Sequence, residues 1–375
     1  MKKSSILIIL FWSVTILFVS TNGLSQTAEE YHAQGNEKLK KEDYSGAISE
    51  YNKVIELNSE FAEAYSYRGI AKFYNRDYNG AISDLTRYID LNPKSADAFL
   101  YRGKAKYELQ DYTGAIADLT LSVGPYPENY EAYYYLGESK FKLEDYPGAI
   151  ADYTKYNEYF AENQEIYNKR GLSKSQLGDS KGAIEDFSKA IELYPQYSEA
   201  YYNRGLVKRD LLDKSAMADF LKAIEIDPEY LDAIYEIGNA KKYNNDISGA
   251  IADYTRITDI DPGYVVYSER GELKLSVKDF VGAIADFTKD MEFNPSYAFD
   301  YFNRGLAKRE LQDITGAMED FNKAIELDPE HSEAYFNRGL TKINSGQKES
   351  GCIDLTKASK LGYTEANEAI KKFCQ

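Results

Sequence analysis

"DYTGAIADLT", residues 111–120, has close copies along this 375-residue chain: DYSGAISEYN from 43, DYNGAISDLT from 77, DYPGAIADYT from 145, DISGAIADYT from 246, DFVGAIADFT from 279 and DITGAMEDFN from 313. The interval between copies decides the fold. A glycine precedes each, and the full series is Gly35, Gly69, Gly103, Gly137, Gly171, Gly205, Gly238, Gly271, Gly305 and Gly339. The steps are 34 residues, except for the two 33-residue steps between Gly205 and Gly271. A small residue follows in each unit: Ala47, Ala81, Ala115, Ala149, Ala183, Ala216, Ala250, Ala283, Ala317 and Gly351. A fixed period of this length marks a stacked array, in which each unit contacts its neighbours. Ten units are expected, at 28–61, 62–95, 96–129, 130–163, 164–197, 198–230, 231–263, 264–297, 298–331 and 332–361, followed by a capping helix at 363–374. The region 26–375 then forms one array without an internal domain boundary.

Within a unit, two stretches show helical periodicity. In SEAYYNRGLVKRDL, residues 198–211, Tyr201, Gly205, Val207 and Leu211 form an apolar or small stripe. In AMADFLKAIEI, from 216, Ala216, Phe220 and Ala223 lie on one helix face. Each unit is therefore helix A, turn, helix B, turn, and the fold is all-α. Gly205 and Ala216 mark where the two antiparallel helices approach closely. The Asp that opens each copy of the quoted phrase is expected to cap helix B by accepting free backbone N–H groups. Proline agrees with this division. Pro93, Pro127, Pro195, Pro262, Pro295 and Pro329 share one slot, and Pro228 holds it in a shortened unit. Proline cannot continue a helix, so that slot marks a helix end.

These residues resemble the tetratricopeptide repeat (TPR) family; the copy Tyr301, Gly305, Ala317, Phe321, Ala324, Pro329 carries the likeness best. The resemblance implies an α-α superhelix, a TPR solenoid of about ten helix pairs plus a C-terminal capping helix. It also implies a concave surface, lined by A helices, that binds proteins or peptides. The chain departs from the family pattern three residues after the glycine. Lysine stands there in every unit, for example Lys72, Lys208 and Lys342, and every helix B carries an acid, Glu50 in the first unit and Asp84 to Asp354 in the others. Seven units add an arginine just before the glycine, as at Arg204 and Arg304. Antiparallel register brings acid and base level, so an ion-pair ladder between A and B is expected. Exposed pairs of this kind contribute roughly 0.2–1 kcal/mol each, and Asp219→Asn is then a mild substitution.

In the family, the positions just after the leading residue of helix A and just after its glycine face the concave side. Three units pair an aromatic with leucine there: Tyr202 with Leu206, Phe302 with Leu306 and Phe336 with Leu340. Tyr235 occupies the first position in the seventh unit. Exposed apolar groups of this kind mark binding surfaces, so Phe302, Leu306, Phe336, Leu340, Tyr202, Leu206 and Tyr235 are the candidate protein-binding residues. Packing against a neighbouring helix is the alternative. The expected function is a non-catalytic protein- or peptide-binding scaffold, with a purely structural spacer as second reading. A two-carboxylate clamp of Lys and Asn, which some family members use on chaperone tails, is not expected. Asn36 fits, but His32 and Tyr67 stand at its other positions.

Charge and composition narrow the partners. The chain carries −16 at pH 7, which disfavours nucleic acid and anionic membrane surfaces. A neutral or basic protein or peptide is favoured instead, since Glu29, Glu63, Glu131, Glu199 and Glu333 recur near A-helix starts. No catalytic motif, metal cluster or cofactor loop is visible, and the two histidines, His32 and His331, are nearly 300 residues apart. Neither an enzyme nor a cofactor is expected. At the front, Lys2 and Lys3 precede an apolar run from Ile6 to Val19, with Gly23 and Ser25 before Gln26. This reads as a signal peptide over 1–25, and hence as an exported protein, periplasmic or secreted in a bacterial envelope. An uncleaved N-terminal anchor is the alternative, although a span needs about 20 apolar residues.

Cys352 and Cys374 are the only cysteines. From Cys352 to the Leu361–Gly362 turn is about 14 Å of helix, and from Tyr363 to Cys374 about 16 Å. Two antiparallel helices of these lengths place the sulfurs side by side, and export would expose them to an oxidising compartment. A disulfide is expected, with two free thiols as the alternative.

Overall fold

The computed structural model describes residues 27–124 and 127–374. The proposed signal segment lies outside the described residues. All regular structure among the described residues is helical. Contacts group the helices into two compact units, one ending at Tyr194 and the other beginning at Pro195, where the sequence suggested one array without a boundary. The first unit holds α1 (Ala28–Lys40), α2 (Tyr44–Leu57), α3 (Ala62–Tyr74), α4 (Tyr78–Leu91), α5 (Ala96–Glu108), α6 (Tyr112–Val123), α7 (Tyr130–Lys142), α8 (Tyr146–Tyr159), α9 (Gln164–Gln176) and α10 (Ser180–Leu193). The second holds α11 (Ser198–Asp210), α12 (Ala216–Ile226), α13 (Leu231–Tyr243), α14 (Ile247–Ile260), α15 (Tyr267–Ser276), α16 (Phe280–Phe293), α17 (Ala298–Glu310), α18 (Ile314–Leu327), α19 (Ser332–Asn344), α20 (Lys348–Lys360) and α21 (Glu365–Phe373). Odd-numbered helices up to α19 are A helices and even-numbered ones B helices, so ten pairs precede the short terminal α21.

The small residues set how closely A and B approach. A Cβ built on Gly171 would lie 2.8 Å from Phe187 Cε1, and one on Gly137 2.6 Å from Tyr153 Cε1. Phe187 and Tyr153 have no exposed surface, so the rings cannot swing away and glycine is required for contact. Burying each such ring contributes about 1.5–3 kcal/mol. Clusters of these side chains pass from pair to pair: Tyr51, Ala47 and Ala71 share one, and Phe321, Ala324 and Ala334 another.

The quoted phrase does two jobs. In α2, α4, α6, α8, α10, α14, α16 and α18 its Asp caps the helix, accepting the N–H of the glycine three residues on, as Asp111 Oδ1 does from Gly114 at 2.9 Å. That glycine is inside the helix and not in the turn. The left-handed turn residue is the one before the Asp, such as Gln110 at φ 63° or Gly178 at φ 77°. The two 33-residue steps leave local irregularities, in the sixth unit and where the seventh passes into the eighth. In the sixth unit Asp213 Oδ1 accepts from Ser215 N at 2.9 Å, and α12 starts without a side-chain cap. In the eighth, α15 is shortened to ten residues after Val266.

Candidate functional site

The ladder is built from three side chains in the seven pairs that carry the arginine, and from lysine and acid alone in the first, fourth and seventh. In the second pair, Arg68 Nε and Nη2 donate to Asp84 at 2.7 and 2.6 Å, and Lys72 Nζ lies 2.8 Å from the same carboxylate. Arg68 Nη1 continues to Asn52 Oδ1 on the preceding helix B at 2.7 Å. Arg102, Arg170, Arg270, Arg304 and Arg338 repeat this arrangement, ending on Thr86, Thr154, Thr258, Thr288 and Asn322. The acids are buried, Asp84 at 4% and Asp286 at 3% exposure, and the aromatic three residues before the arginine covers it, as Tyr65 covers Arg68 with the guanidinium 5.5 Å from the ring centre. The ladder is therefore an internal strut that ties three helices, and not a charged track on the surface. It also removes the premise of exposed pairs. Asp219, at 4% exposure and bonded to both Arg204 and Lys208, is costlier to replace than a surface partner.

On the A-helix face, the expected aromatic and leucine pairs divide. Tyr202 and Leu206 are half-buried, with Tyr202 5.0 Å from the Tyr230 ring. Tyr235 is half-buried between Tyr254 and Tyr264. Phe336 and Leu340 are half-buried, and Phe336 meets Tyr363 at 4.9 Å. Phe302 is different. It is only 7% exposed, packed 4.7 Å from the His331 ring and 6.1 Å from Phe321. Ala324 and Ala334 leave the space that its ring fills, so Phe302 is a core residue and does not belong to an open surface, whereas Leu306 beside it stays half-buried. The exposed aromatics of α17 are its cap Tyr297 and Phe299, which the positional reading passed over.

The second A-face position follows a pairing rule with helix B. Where it is Asn or Glu and helix B supplies a tyrosine, the two bond: Tyr51 Oη to Asn36 Oδ1 at 2.8 Å, Tyr153 Oη to Glu138 Oε1 at 2.5 Å, and Tyr254 Oη to Asn239 Oδ1 at 2.7 Å. At Leu172, Leu206 and Leu306 helix B supplies Phe187, Phe220 and Phe321, and at Leu340 it supplies Leu355, so leucine meets an apolar side chain without a hydroxyl. Lys104 stands alone opposite Leu119 but reaches Glu131 at 2.5 Å. Among the described residues there is no group of His, Cys, Asp and Glu able to hold a metal ion.

Profiles of the TPR repeat match residues 35–75, 171–209 and 305–346, and tetratricopeptide repeat profiles match 68–129 and 131–163. The chain belongs to the tetratricopeptide repeat family. No individually curated protein matches it. Among solved structures, the C-terminal part of a TPR repeat-containing protein from Cytophaga hutchinsonii is 20% identical, covers 61% of this chain and 95% of its own, and superposes with a TM-score of 0.54, which shows the shared fold. YrrB, described as a TPR protein with an unusual peptide-binding site, is 23% identical over 51% of this chain and 97% of its own, with a TM-score of 0.47. Yeast Tom70 is 17% identical over 91% of this chain and 93% of its own, with a TM-score of 0.31.

Proposed function

We propose that this chain is a non-catalytic scaffold of the cell envelope that binds neutral or basic protein segments along its A-helix face. One observation carries the reading. The positions that packing requires hardly vary across ten units: the A-helix glycine, the ladder lysine and the helix B acid are present in every copy. The first A-face position, by contrast, where it stays partly open to solvent, runs through His32, Ser66, Tyr134, Tyr202, Ser268 and Phe336 within the same chain. A spacer needs identical units, whereas a recognition surface needs different chemistry at successive steps. Tyr202, Leu206, Leu306, Phe336 and Leu340 supply the apolar part of that surface. The acidic balance of the chain favours basic partners and acts mainly on the rate of encounter.

A pull-down from the native envelope fraction tests this. Phe336→Ala/Leu340→Ala is expected to lose partners that the wild-type chain retains. Retention of the same set removes those residues from the site, and a wild-type chain that retains no protein favours the spacer. The location has its own check. Trp12 is the only tryptophan, so protein exported with cleavage before Gln26 shows tyrosine fluorescence alone, and tryptophan emission from the purified envelope form would mean that the segment stays attached.

A further inference from the structure

The eighth helix pair and the start of α17 break the pattern at two core positions. Seven residues after the small helix B residue, none of the other nine units carries a charge, but here stands Asp290. Five residues before the A-helix glycine, eight of the other nine units carry Ala, Ile or Val, but here stands Asp300. Both acids are buried, at 1% and 0% exposure. Asn294 Nδ2 donates to Asp290 Oδ2 at 3.2 Å and Ser268 Oγ to Asp300 Oδ1 at 2.6 Å. No N–H or O–H of the described residues reaches Asp290 Oδ1 or Asp300 Oδ2. Leaving a buried polar atom unpaired costs about 1–3 kcal/mol; a proton shared between the two acids satisfies them, and once both are ionised they need a cation.

Asp290 lines a recess of about 460 Å³ together with Ser268, Glu269, Glu272, Asn294 and Tyr297. Ser268 and Glu272 are the two A-face positions of this pair, so the recess opens where the scaffold would meet its partner. Glu272 also breaks the pairing rule. It stands opposite Phe287, which has no hydroxyl to offer, and its nearest cation is the part-exposed Lys242 Nζ at 3.7 Å. The recess is far larger than a bare ion needs, since a water molecule takes about 30 Å³ of liquid. The half-exposed ring of Tyr297 offers an aromatic face to a cation and its apolar stem.

We propose that this recess receives the cationic head of a lysine or arginine side chain of a bound peptide, with Asp290, Glu269 and Glu272 as its counter-charges. The proposal rests on the scaffold reading and gives it a specific side-chain preference. It also predicts a proton exchange. Burial, together with the hydrogen bond and charge of Asp290, pushes the Asp300 carboxyl up to about 7, against the pull of Ser268. Burial likewise raises Glu269, with Asp290 and Glu272 adding to the rise and Lys242 opposing it. Arg304, one turn further along α17, is the other cation near Asp300. The acid pair therefore takes up a proton as the pH falls through about 7, and an arriving cation displaces it. Below about pH 7 the cation must compete with that proton, so affinity falls by about tenfold per pH unit; above it the acids are already ionised and affinity levels off.

Isothermal titration of the full chain with acetyl-Gly-Lys-Gly-amide, its arginine counterpart and its norleucine counterpart tests this at pH 6 and pH 8. The variants Asp290→Ala and Glu272→Leu install residues that other pairs already carry, as at Ala190 and Leu172, and circular dichroism checks that both fold. We expect the lysine or arginine peptide to bind, norleucine to bind at least tenfold more weakly, affinity to drop at pH 6, and each variant to lose at least tenfold. Equal binding of norleucine, or unchanged affinity in the variants, would overturn the proposal. So would calcium binding that is lost in the same variants and displaces the peptide, which would make this a metal site. If the Phe336→Ala/Leu340→Ala chain loses its envelope partners while neither cationic peptide binds, this proposal alone falls and the scaffold reading stands.

Discussion

Asp286→Ala is expected to destabilise the unit that contains α15 and α16 by about 3–5 kcal/mol, the cost of breaking a buried ion pair from one side. Arg270 is 8% exposed and Asp286 3%. Its Nε and Nη2 donate to Asp286 at 2.9 and 2.6 Å, and Nη1 donates to Thr258 at 2.6 Å and Thr255 at 3.2 Å. Lys274 shares the carboxylate at 2.8 Å. Without Asp286 two positive charges face each other in a space that water hardly enters, and the link from α15 to α16 is lost. The threonines hold the guanidinium in place and so prevent it from escaping to solvent. Urea denaturation followed by helicity measures the loss as a lower midpoint. The control is Arg270→Leu/Asp286→Leu, which removes both charges and should recover most of the stability, because a buried pair is worth little against apolar groups of similar volume. A loss under about 1 kcal/mol for Asp286→Ala would put the pair in the class of surface bridges.

That ladder also shows what the chain reveals before folding. Which residues pair is legible, because arginine and lysine bracket the same glycine in unit after unit and antiparallel register leaves the helix B acid one place to go. Depth is not legible. Arg270 and Asp286 are written in the same letters as a surface bridge, and only the ring of Tyr267, with the guanidinium 5.5 Å from its centre, closes them off. Phe302 failed for a related reason. Its position on helix A is one that faces outward in a regular array, but whether a ring lies out or in depends on the room left by Ala324 and Ala334 and on His331 arriving from the next loop. The acid pair is legible only in part. Asp300 stands in a slot otherwise nearly all Ala, Ile or Val, but its letters do not tell that Asp290 of the preceding helix B lies beside it. The boundary at Tyr194 and Pro195 has no such signature, since Pro195 fills the same slot as the other helix-end prolines.

The C-terminal end supplies the second large effect. The structure joins Cys352 on α20 to Cys374 at the end of α21, with the Cα atoms 5.7 Å apart. α21 has nine residues and buries only Ala366 and Ala369, whereas isolated helices shorter than about 12 residues are marginal in water. Its other ties are slight: Ser359 Oγ donates to Asn367 Oδ1 at 2.7 Å, and Tyr363 leans on Phe336. Each A helix from α1 to α19 is followed by a helix B that covers it, whereas α21 packs chiefly on α20 among the described helices, and the Cys352–Cys374 bond ties its end to α20. Closing a loop of 22-residue separation restricts the unfolded chain and contributes about 3 kcal/mol. Cys374→Ser, or reduction of the wild-type protein, is therefore expected to remove about 3 kcal/mol from the terminal pair, with the amides of α21 losing hydrogen-exchange protection first. Because stability in a stacked array is a sum of local and neighbouring terms, the loss stays near α19 to α21 and leaves the midpoint of the first unit unchanged. Thiol titration of the denatured, unreduced protein should find no free thiol. Two free thiols, or a terminal pair whose exchange is indifferent to reductant, would mean that the cap is held by packing alone.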